Sequence, residues 1–310
     1  MSRVAVAGVV SVRLAHAVDA FPVPLVSSQH RPGGLSVRLS GVGWTGATTL
    51  RALGSDVAFA TFVGADDLGL LAAQGLRARG WYGAATLVCS EQPRSLVLYD
   101  RDGTRSGTSD LRSLSAQRYP PEVFGALLDE SRCDAVLLNS TEFTRELIEI
   151  AVDRRVPIAT DVHRIFDIGY PRKQDWLRAA TVVACSHELL PRGPRAWVEA
   201  LWRRFDTPIA LVGCGPDGAL VGVARGRRIW HVAASTPRGV RYVSGAGDTL
   251  LAAFVHHHCT LGDPVTAARY AVLAAGWKVG GDPDDEFVLS AAELADLAST
   301  HGLPAVTRLR

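Results

Sequence analysis

The sequence predicts a doubly wound α/β fold, with a mainly parallel sheet covered by helices on both faces and a small antiparallel β lid. In the second half of the chain, short apolar runs alternate with amphipathic helical patterns, which is typical of a parallel sheet buried on both faces. Residues 10–40 and 94–110 instead alternate with a strand-like period, and the second segment carries an Asp-Gly turn that favours a hairpin. We therefore predict one domain over residues 1–310, with these two inserted segments forming the lid.

The predicted strands of the parallel sheet are short and end in small or polar residues. The first is the apolar run VAVAGVV near the N-terminus, and later ones lie at residues 135–140, 156–161, 181–186 and 208–214. Ligands of such sheets bind outside the carboxyl ends of the strands. The stretch TDVHR follows one of these ends, so Asp161, His163 and Arg164 either line the ligand cleft or serve loop hydrogen bonding and the surface.

Composition narrows the class of protein. The 310 residues are 47% hydrophobic and 21% charged, and the net charge of +2 with no basic run gives no support for a nucleic-acid surface. Five widely spaced cysteines without a C-x-x-C motif indicate neither disulfides nor zinc and favour a cytoplasmic protein. The N-terminal apolar run is interrupted by Arg13 and is a buried strand rather than a signal peptide. No apolar stretch approaches the roughly 20 residues needed to span a membrane.

The first glycine motif, GVGWTG at residues 41–46, has the G-x-G-x-x-G spacing of a dinucleotide-binding turn. Asp66 lies 20 residues beyond Gly46, where such a turn expects an acid for the ribose. However, a dinucleotide fold places this turn directly after the first core strand, and here some thirty residues separate them. The dehydrogenase interpretation is therefore disfavoured.

A second glycine motif has more chemical content. In YVSGAGDTLLAAFVHHH, residues 242–258, a glycine turn opens a helix, and the backbone of Gly245, Ala246 and Gly247 together with the helix N-terminus would stabilise an anion. Asp248 stands beside that anion hole, where it could take a proton from an attacking hydroxyl. On spacing alone, a capped core helix is an equal alternative. The three histidines that end the run point in different directions on a helix, which favours packing over metal binding.

The stretch SGAGDT, with a strand before it and a helix of small residues after it, resembles the signature of the ribokinase-like, PfkB-type carbohydrate kinases. Three further segments resemble parts of that family in the same order and cover nearly the whole chain. They are the glycine loop, helix and G-x-D-x-x-G turn of residues 40–69, the nucleotide-side turn CGPDGALVG, and the late helix RYAVLAAGWKVGG.

The resemblance implies an ATP-dependent kinase that transfers the terminal phosphoryl group to a hydroxyl of a sugar, nucleoside or related polyol, with Mg2+ as the counter-ion. Asp248 is implied as the general base and the 245–247 backbone as the anion hole. Many members of the family dimerise through their lids, so a homodimer is expected. The substrate-binding residues implied are Arg13, Gly41, Gly43, Thr45 and Asp248. The nucleotide-binding residues implied are Ser186, Gly215, Asp217, Gly218 and Val272.

The chain departs from the family pattern at several positions. The N-x-x-E segment that helps to organise magnesium through water is SHEL here, with Ser186 for Asn and Leu189 for Glu. Glu188 or His187 is the expected substitute, and Glu188 is the one expected at the metal, through water. Tyr242-Val243 replaces an Asp-Thr pair and leaves monovalent-cation binding uncertain, and Val272 replaces an Asn. These losses define an alternative function, a ligand-binding protein on a degenerate kinase scaffold with little transfer activity.

Arg13 is the departure with the most chemical content. It replaces an Asp that accepts hydrogen bonds from sugar hydroxyls, and Thr45 replaces the Asn of the glycine loop. Arginine is a permanent cation that donates five hydrogen bonds and accepts none. If Arg13 faces the substrate, the substrate presents acceptors or negative charge; if it folds back, it pairs with a carboxylate of the lid.

Overall fold

The computed structural model describes residues 1–287 and 289–309, in which two β-sheets are packed with helices. In this part of the chain the strands are β1 (Arg3–Ala7), β2 (Ser11–Ala17), β3 (Leu35–Ser40), β4 (Asp56–Gly64), β5 (Thr86–Cys89), β6 (Arg94–Tyr99), β7 (Arg105–Asp110), β8 (Ala135–Asn139), β9 (Ile158–Arg164), β10 (Val182–Ser186), β11 (Ile209–Gly213), β12 (Ala219–Val223), β13 (Arg228–Val232) and β14 (Val306–Arg308). The α-helices are α1 (Val42–Ala52), α2 (Asp67–Ala78), α3 (Pro121–Ser131), α4 (Leu147–Asp153), α5 (Gln174–Ala179), α6 (Gly193–Phe205), α7 (Ala246–Leu261), α8 (Pro264–Val279) and α9 (Ala291–His301).

The larger sheet has the strand order β14-β13-β12-β11-β10-β9-β8-β1-β4-β5. Neighbours from β11 to β5 pair in parallel, and the three pairings at the β14 edge are antiparallel. The four strands predicted in the second half of the chain are β8, β9, β10 and β11, and β9 extends to Arg164. The predicted α/β fold with a mainly parallel sheet is confirmed.

Side-chain alternation on the strands divides the core into two layers. On β1, Val4 and Val6 pack in the layer that contains α1, α2, α7, α8 and α9, whereas Ala5 and Ala7 face the layer of α3, α4, α5 and α6. Both faces of the sheet are therefore covered, which explains why its strands are apolar throughout rather than alternating with polar residues.

The smaller sheet, which we call the second sheet, has the order β3-β2-β6-β7. Its β2–β3 and β6–β7 pairings are antiparallel, but β2 and β6 pair in parallel. The sheet is therefore mixed, and the prediction that it is antiparallel is wrong for this one pairing. The reason is geometric. β1 and β5 run in the same direction in the larger sheet, and β2 and β6 continue from their carboxyl ends, so the two continuations enter the second sheet side by side in one direction.

Short crossings join the two sheets. Residues 8–10 lead from β1 to β2, Gly41 leads from β3 to α1, and residues 90–93 lead from β5 to β6. Gln92, which is fully buried, links two of these crossings: its Oε1 accepts from the Gly64 amide at 2.8 Å, and its Nε2 donates to the Val10 carbonyl at 2.8 Å. The root of the second sheet is therefore fixed to the carboxyl edge of the larger one.

Gly43 allows α1 to dock on the end of β1. Its amide donates to the Val9 carbonyl at 3.0 Å, and a Cβ on Gly43 would lie 2.5 Å from the carbonyl carbon of Gly8. Gly41 has φ +100°, and a Cβ there would lie 2.5 Å from the Val9 oxygen. The first two glycines of the motif, Gly41 and Gly43, are thus required by backbone packing. Asp66 also has a structural role, because its carboxylate accepts from the Gly69 amide at the N-terminus of α2 and pairs with Arg94 at 2.7 Å.

We predict that Gly43→Ala destabilises the protein by about 1–3 kcal/mol, because the added methyl group collides with backbone that cannot move aside. Urea unfolding should show a lower midpoint at an unchanged slope. Gly83→Ala is the matched control, since no atom lies within 4 Å of a Cβ at Gly83. Equal midpoints for the two variants would contradict the packing role of Gly43.

Candidate active site

The turn before α7 places an acidic side chain at the carboxyl edge of the larger sheet. Gly245 has φ +82° and caps the helix N-terminus, a left-handed conformation that costs other residues roughly 1 kcal/mol or more. Asp248 lies in the first turn of α7. The first amides of a helix lack intrahelical acceptors and carry partial positive charge, so an anion is stabilised there.

The three residues predicted to form the anion hole differ in their backbone environment. The Ala246 amide donates to the Val243 carbonyl at 3.2 Å, so it already has an intramolecular acceptor. Gly247 is exposed, and a Cβ there would lie 3.8 Å from Oδ2 of Asp161. The exposed backbone of this turn is therefore at Gly247, on the side that faces β9.

Asp248 is in an unusual electrostatic environment. Burial raises the pKa of its carboxyl group to about 6, and the neighbouring Asp161 carboxylate contributes in the same direction. Three cations, His163, Arg105 and Lys278, partly oppose this shift. A carboxylate with a pKa near 6 is ionised at neutral pH and is a stronger base than an ordinary aspartate.

Asp161 and His163 form a pair beside Asp248. A bulge in β9 changes its register against β10 before Arg164, and His163 adopts φ +59°, a left-handed conformation that is uncommon for a residue with a side chain. Asp161 holds this conformation by accepting from the His163 amide at 2.7 Å, and its Oδ2 lies 3.4 Å from Nδ1 of the ring. Burial acts against both charges, but their mutual attraction outweighs it, which lowers the pKa of Asp161 and raises that of His163.

Lys173 stabilises the carboxyl end of β9 through Ser140. Its Nζ donates to the Ser140 carbonyl at 2.5 Å and to the Ser140 hydroxyl at 2.7 Å, and that hydroxyl donates to the Asp161 carbonyl at 2.6 Å. Burial lowers the pKa of Lys173 to about 8, although the charge of Asp161 opposes the shift. The chain of contacts fixes the end of β9 against the end of β8.

A cavity of about 490 Å³ lies between the second sheet and the N-terminus of α7. It brings together Asp248, Gly245 and three of the predicted substrate-binding residues, which are Arg13, Gly41 and Thr45. Gly43 is not among the residues that line it and instead packs on Gly8.

Arg13 projects from β2 and is 9% exposed. Its Nη2 donates to the backbone carbonyl of Pro283 at 2.5 Å, and its guanidinium lies 5.2 Å from the centre of the Tyr242 ring. The residue therefore lines the cavity, and its partner is a backbone carbonyl after α8 rather than a carboxylate of the second sheet.

A second cavity lies over the predicted nucleotide-side turn between β11 and β12. It is lined by His187, Cys214, Asp217 and His231, among others. The turn depends on two glycines with positive φ, Gly215 at +58° and Gly218 at +93°.

Three other predicted residues are placed apart from these groups. Ser186 caps the short turn after β10 by accepting from the Glu188 amide at 3.4 Å. The Glu188 side chain is half exposed and lies 3.7 Å from Arg164. Val272 is buried in the hydrophobic core on α8.

Among the described residues, the one group of three His, Cys, Asp or Glu side chains close enough to hold a metal ion together is Asp161, His163 and Asp248, whose ligand atoms lie within 4.8 Å of one another. The histidines at the end of α7 are packed separately. His256 contacts the Ser55 hydroxyl at 2.8 Å, and His257 stacks on Tyr270 with ring centres 4.5 Å apart.

The sequence interpretation missed Lys278 and Arg105. Lys278, in the last turn of α8, is 7% exposed and lines the first cavity. Arg105, at the start of β7, lines the same cavity. A lysine that follows the apolar stretch AVLAAGW at the end of α8 was the available signal for Lys278, and it is also the residue that a helix dipole favours there.

Comparison with known proteins identifies the fold. No protein-family model matches the chain, and no curated protein matches it in sequence. Solved structures match nearly its whole length. They include a microbiome-derived acarbose kinase (24% identity, TM-score 0.86, covering 96% of this chain and 99% of that one), a Burkholderia thailandensis nucleoside kinase in complex with inosine (16%, 0.79, 97% and 99%), and Arabidopsis thaliana ribokinase complexed with ribose and ATP (16%, 0.76, 96% and 99%).

The chain therefore has the ribokinase-like fold, and its structural neighbours are carbohydrate and nucleoside kinases of the PfkB type. The fold expected from SGAGDT and the accompanying motifs is confirmed. None of the helices in the described ranges combines the length and apolar character that a membrane crossing requires.

We predict that Asp248→Asn raises the melting temperature at pH 7.5. A carboxyl group whose pKa is higher in the folded protein than in the unfolded chain binds its proton more tightly when folded, so its ionised form destabilises the fold above pH 6. The neutral amide removes this cost. Below pH about 4 the carboxyl group is largely protonated in the folded protein, and the difference between variant and wild type should shrink. Calorimetry at the two pH values measures it, and a variant less stable at pH 7.5 would contradict the assignment.

Proposed function

We propose that the protein is an ATP-dependent kinase that phosphorylates a hydroxyl group of a sugar, nucleoside or related polyol. The observation that carries the proposal is the position of Asp248, in the first turn of α7 and on the wall of a cavity that also contains the left-handed turn at Gly245. A base and an anion-stabilising backbone at one place are what phosphoryl transfer to an alcohol requires. The fold shared with carbohydrate and nucleoside kinases supports the same reaction.

Asp248 is the proposed general base. The acceptor hydroxyl lies in the first cavity and donates its proton to the Asp248 carboxylate as its oxygen attacks the terminal phosphorus. The raised pKa of Asp248 brings its basicity closer to neutrality, and the neighbouring His163, which is held by Asp161, partly opposes that rise. The negative charge that develops on the transferred group is stabilised by the backbone of residues 245–247 and the N-terminus of α7.

The nucleotide is proposed to bind at the second cavity, against Gly215, Asp217 and Gly218, with its phosphates directed to the turn before α7. Asp217 lines that cavity, and the two glycines belong to the same turn but are not among the residues that line it. Ser186 and Val272 are the further nucleotide contacts proposed. Bound ATP supplies the phosphoryl group, and Mg2+ neutralises the phosphate charge.

We propose that the magnesium ion is hydrated and is carried by the nucleotide, rather than bound by the cluster of Asp161, His163 and Asp248. Magnesium prefers oxygen ligands and retains water, whereas the clustered donors of Asp161, His163 and Asp248 include an imidazole nitrogen. Glu188 is the proposed contact through water, because its carboxylate is half exposed at the carboxyl end of β10 and is paired only loosely with Arg164. A monovalent-cation requirement is left open by the Tyr242-Val243 replacement.

A ligand-binding protein without transfer activity is the second candidate. The observation in its favour is the SHEL segment, in which Leu189 occupies the position of the family's Glu. Transfer assays with ATP and a panel of alcohols separate the two functions, since the binding protein would hold the alcohol without forming a phosphate ester.

We predict that Asp248→Asn lowers turnover by on the order of 10²-fold or more while nucleotide affinity stays largely intact, because the amide cannot accept a proton but leaves the backbone in place. Coupled turnover assays and nucleotide titration measure the two quantities. Asp296→Asn, an exposed substitution on α9, is the matched control and should retain full turnover. Near-normal turnover of Asp248→Asn would refute the role of Asp248.

We also propose that the protein is a homodimer that pairs through the outer face of the second sheet. Leu14 on β2 is in register with Val37 on β3 and with Leu96 on β6, and these side chains are 38%, 53% and 41% exposed. A contiguous apolar patch on a sheet with open edges is unfavourable in water unless another surface covers it.

Sedimentation in dilute solution should therefore give the mass of a dimer, and Leu96→Glu should give the mass of a monomer because it places a charge within the patch. Leu261→Glu, at the exposed end of α7, is the control and should remain dimeric. A wild-type protein that is only monomeric would contradict this pairing.

A further inference from the structure

Two positively charged side chains are buried in the wall of the cavity that contains Asp248, and among the described residues neither has a carboxylate partner. Arg13 is 9% exposed and Lys278 is 7% exposed, and both line the first cavity. Two other arginines of the same cavity are paired, Arg38 with Asp284 and Arg79 with Glu286, and Arg105 is exposed to solvent rather than buried. Buried charges in proteins are ordinarily paired, so the two unpaired cations require an explanation.

Both side chains also have unused hydrogen-bond donors. Arg13 donates from Nη2 to Pro283, but its buried Nε has no acceptor. Within the described part of the chain, Nζ of Lys278 donates no hydrogen bond and lies 5.6 Å from the centre of the Tyr242 ring. Arg13 lies 5.2 Å from the same ring, so one aromatic side chain contacts both cations.

The two cations repel each other. Burial lowers the pKa of Lys278 to about 8, and the charge of Arg13 contributes in the same direction. Arg238 adds to the shift, whereas Asp285 and Asp248 oppose it without restoring the ordinary value. An anion placed between the two groups would reverse this repulsion and use the donors that now lack acceptors.

We propose that the acceptor substrate carries a negatively charged group, a carboxylate or a phosphate, that binds between Arg13 and Lys278. The inference rests on the proposed function, because it specifies the class of alcohol that Asp248 deprotonates. It identifies the acceptor as an acidic polyol, such as a sugar acid or a sugar phosphate, rather than a neutral sugar.

The position of the two cations assigns the anion to the acceptor rather than to the nucleotide. Arg13 belongs to the second sheet, and neither cation lines the second cavity, where the nucleotide is proposed to bind. Lys278 does approach the turn before α7, since its Cε lies 4.0 Å from a Cβ position on Gly245. Lys278 could therefore bind the transferring phosphate of the nucleotide instead of the anionic group of the acceptor, and the experiment has to distinguish these two ligands.

The test is calorimetric binding of matched compounds to the nucleotide-free protein. Each pair contains an acid and its neutral counterpart: D-gluconate with D-glucitol, D-galactonate with D-galactitol, and ribose 5-phosphate with ribose. We expect at least one acid to bind about tenfold or more tightly than its partner, as a charge-assisted hydrogen bond provides. A panel in which no acid exceeds its partner, including one with no detectable binding, overturns the proposal.

Variants then assign the preference to the two cations. Arg13→Gln and Lys278→Met should each reduce the acid-to-neutral affinity ratio towards one, whereas Lys278→Arg should retain it. Arg38→Gln is the matched control, since Arg38 lines the same cavity but is paired and exposed, and it should keep the wild-type ratio. Circular dichroism verifies folding, and if Lys278→Met does not fold, Arg13→Gln and the pH series below decide the result.

In the wild-type protein the ratio should fall as the pH rises from 7 to 9.5, because Lys278 loses its proton in that range, and it should stay constant in Lys278→Arg. A Lys278→Met variant that binds ATP more than tenfold less tightly at an unchanged ratio would assign Lys278 to the transferring phosphate and overturn the proposal. Arg13-dependent binding of an acid without phosphoryl transfer to any hydroxyl would instead refute the proposed kinase activity and still support the anion site.

Discussion

The close contact between Gly8 and Gly43 is the constraint on which the arrangement of the site depends. It brings backbone against backbone at the end of β1. Helix α1, and with it strand β3 of the second sheet, which leads directly into α1, is therefore held at the carboxyl edge of the larger sheet. The methyl carbon of Thr45, two residues further on in α1, then lies 3.6 Å from a Cβ position on Gly245. The two glycine motifs, about two hundred residues apart in the chain, therefore meet at the Thr45 side chain.

The charges at this edge form a balanced group rather than a set of independent pairs. Asp161 is satisfied by His163, by the amide of that residue and by the nearby Lys173, and it stays ionised although it is buried. Within the described part of the chain Asp248 has no such hydrogen bonds, so burial raises its pKa, and the neighbouring Asp161 charge adds to the rise. One carboxylate thus fixes its surroundings, and the other keeps a pKa near 6.

The sequence predicts the parts of the fold and site that rest on local signals. The alternation of apolar strands and amphipathic helices gives the parallel sheet, and the SGAGDT stretch gives the left-handed turn and the helix N-terminus at Asp248. The mixed second sheet was not predictable in the same way, because β2 and β6 are some eighty residues apart and no local signal encodes their direction of pairing. The bulge that aims His163 depends on the register between β9 and β10, which periodicity does not specify.

In two cases the residue type alone did not determine the role of a residue. Gly41 and Gly43 fit a loop that approaches a substrate, yet the structure uses both for the packing of α1, and only Gly41 also lines the cavity. Lys278 is a basic residue in the last turn of α8, as is common at helix C-termini, and only the position of α8 beside α7 brings its ammonium group to the cavity. In both cases the missing information is long-range packing.

The crossings joined by Gln92 determine where this chain can change its length. An insertion in residues 8–10 or 90–93 would separate the Gln92 amide from the Val10 and Gly64 backbone and leave buried polar groups unpaired. The far end of the second sheet has no such restriction, because residues 18–34 and 100–104 are loops at the tips of hairpins. The fold therefore accommodates a change of loop length at these hairpin tips more readily than at the crossings, so the outer part of the second sheet can vary in size while its root keeps its dimensions.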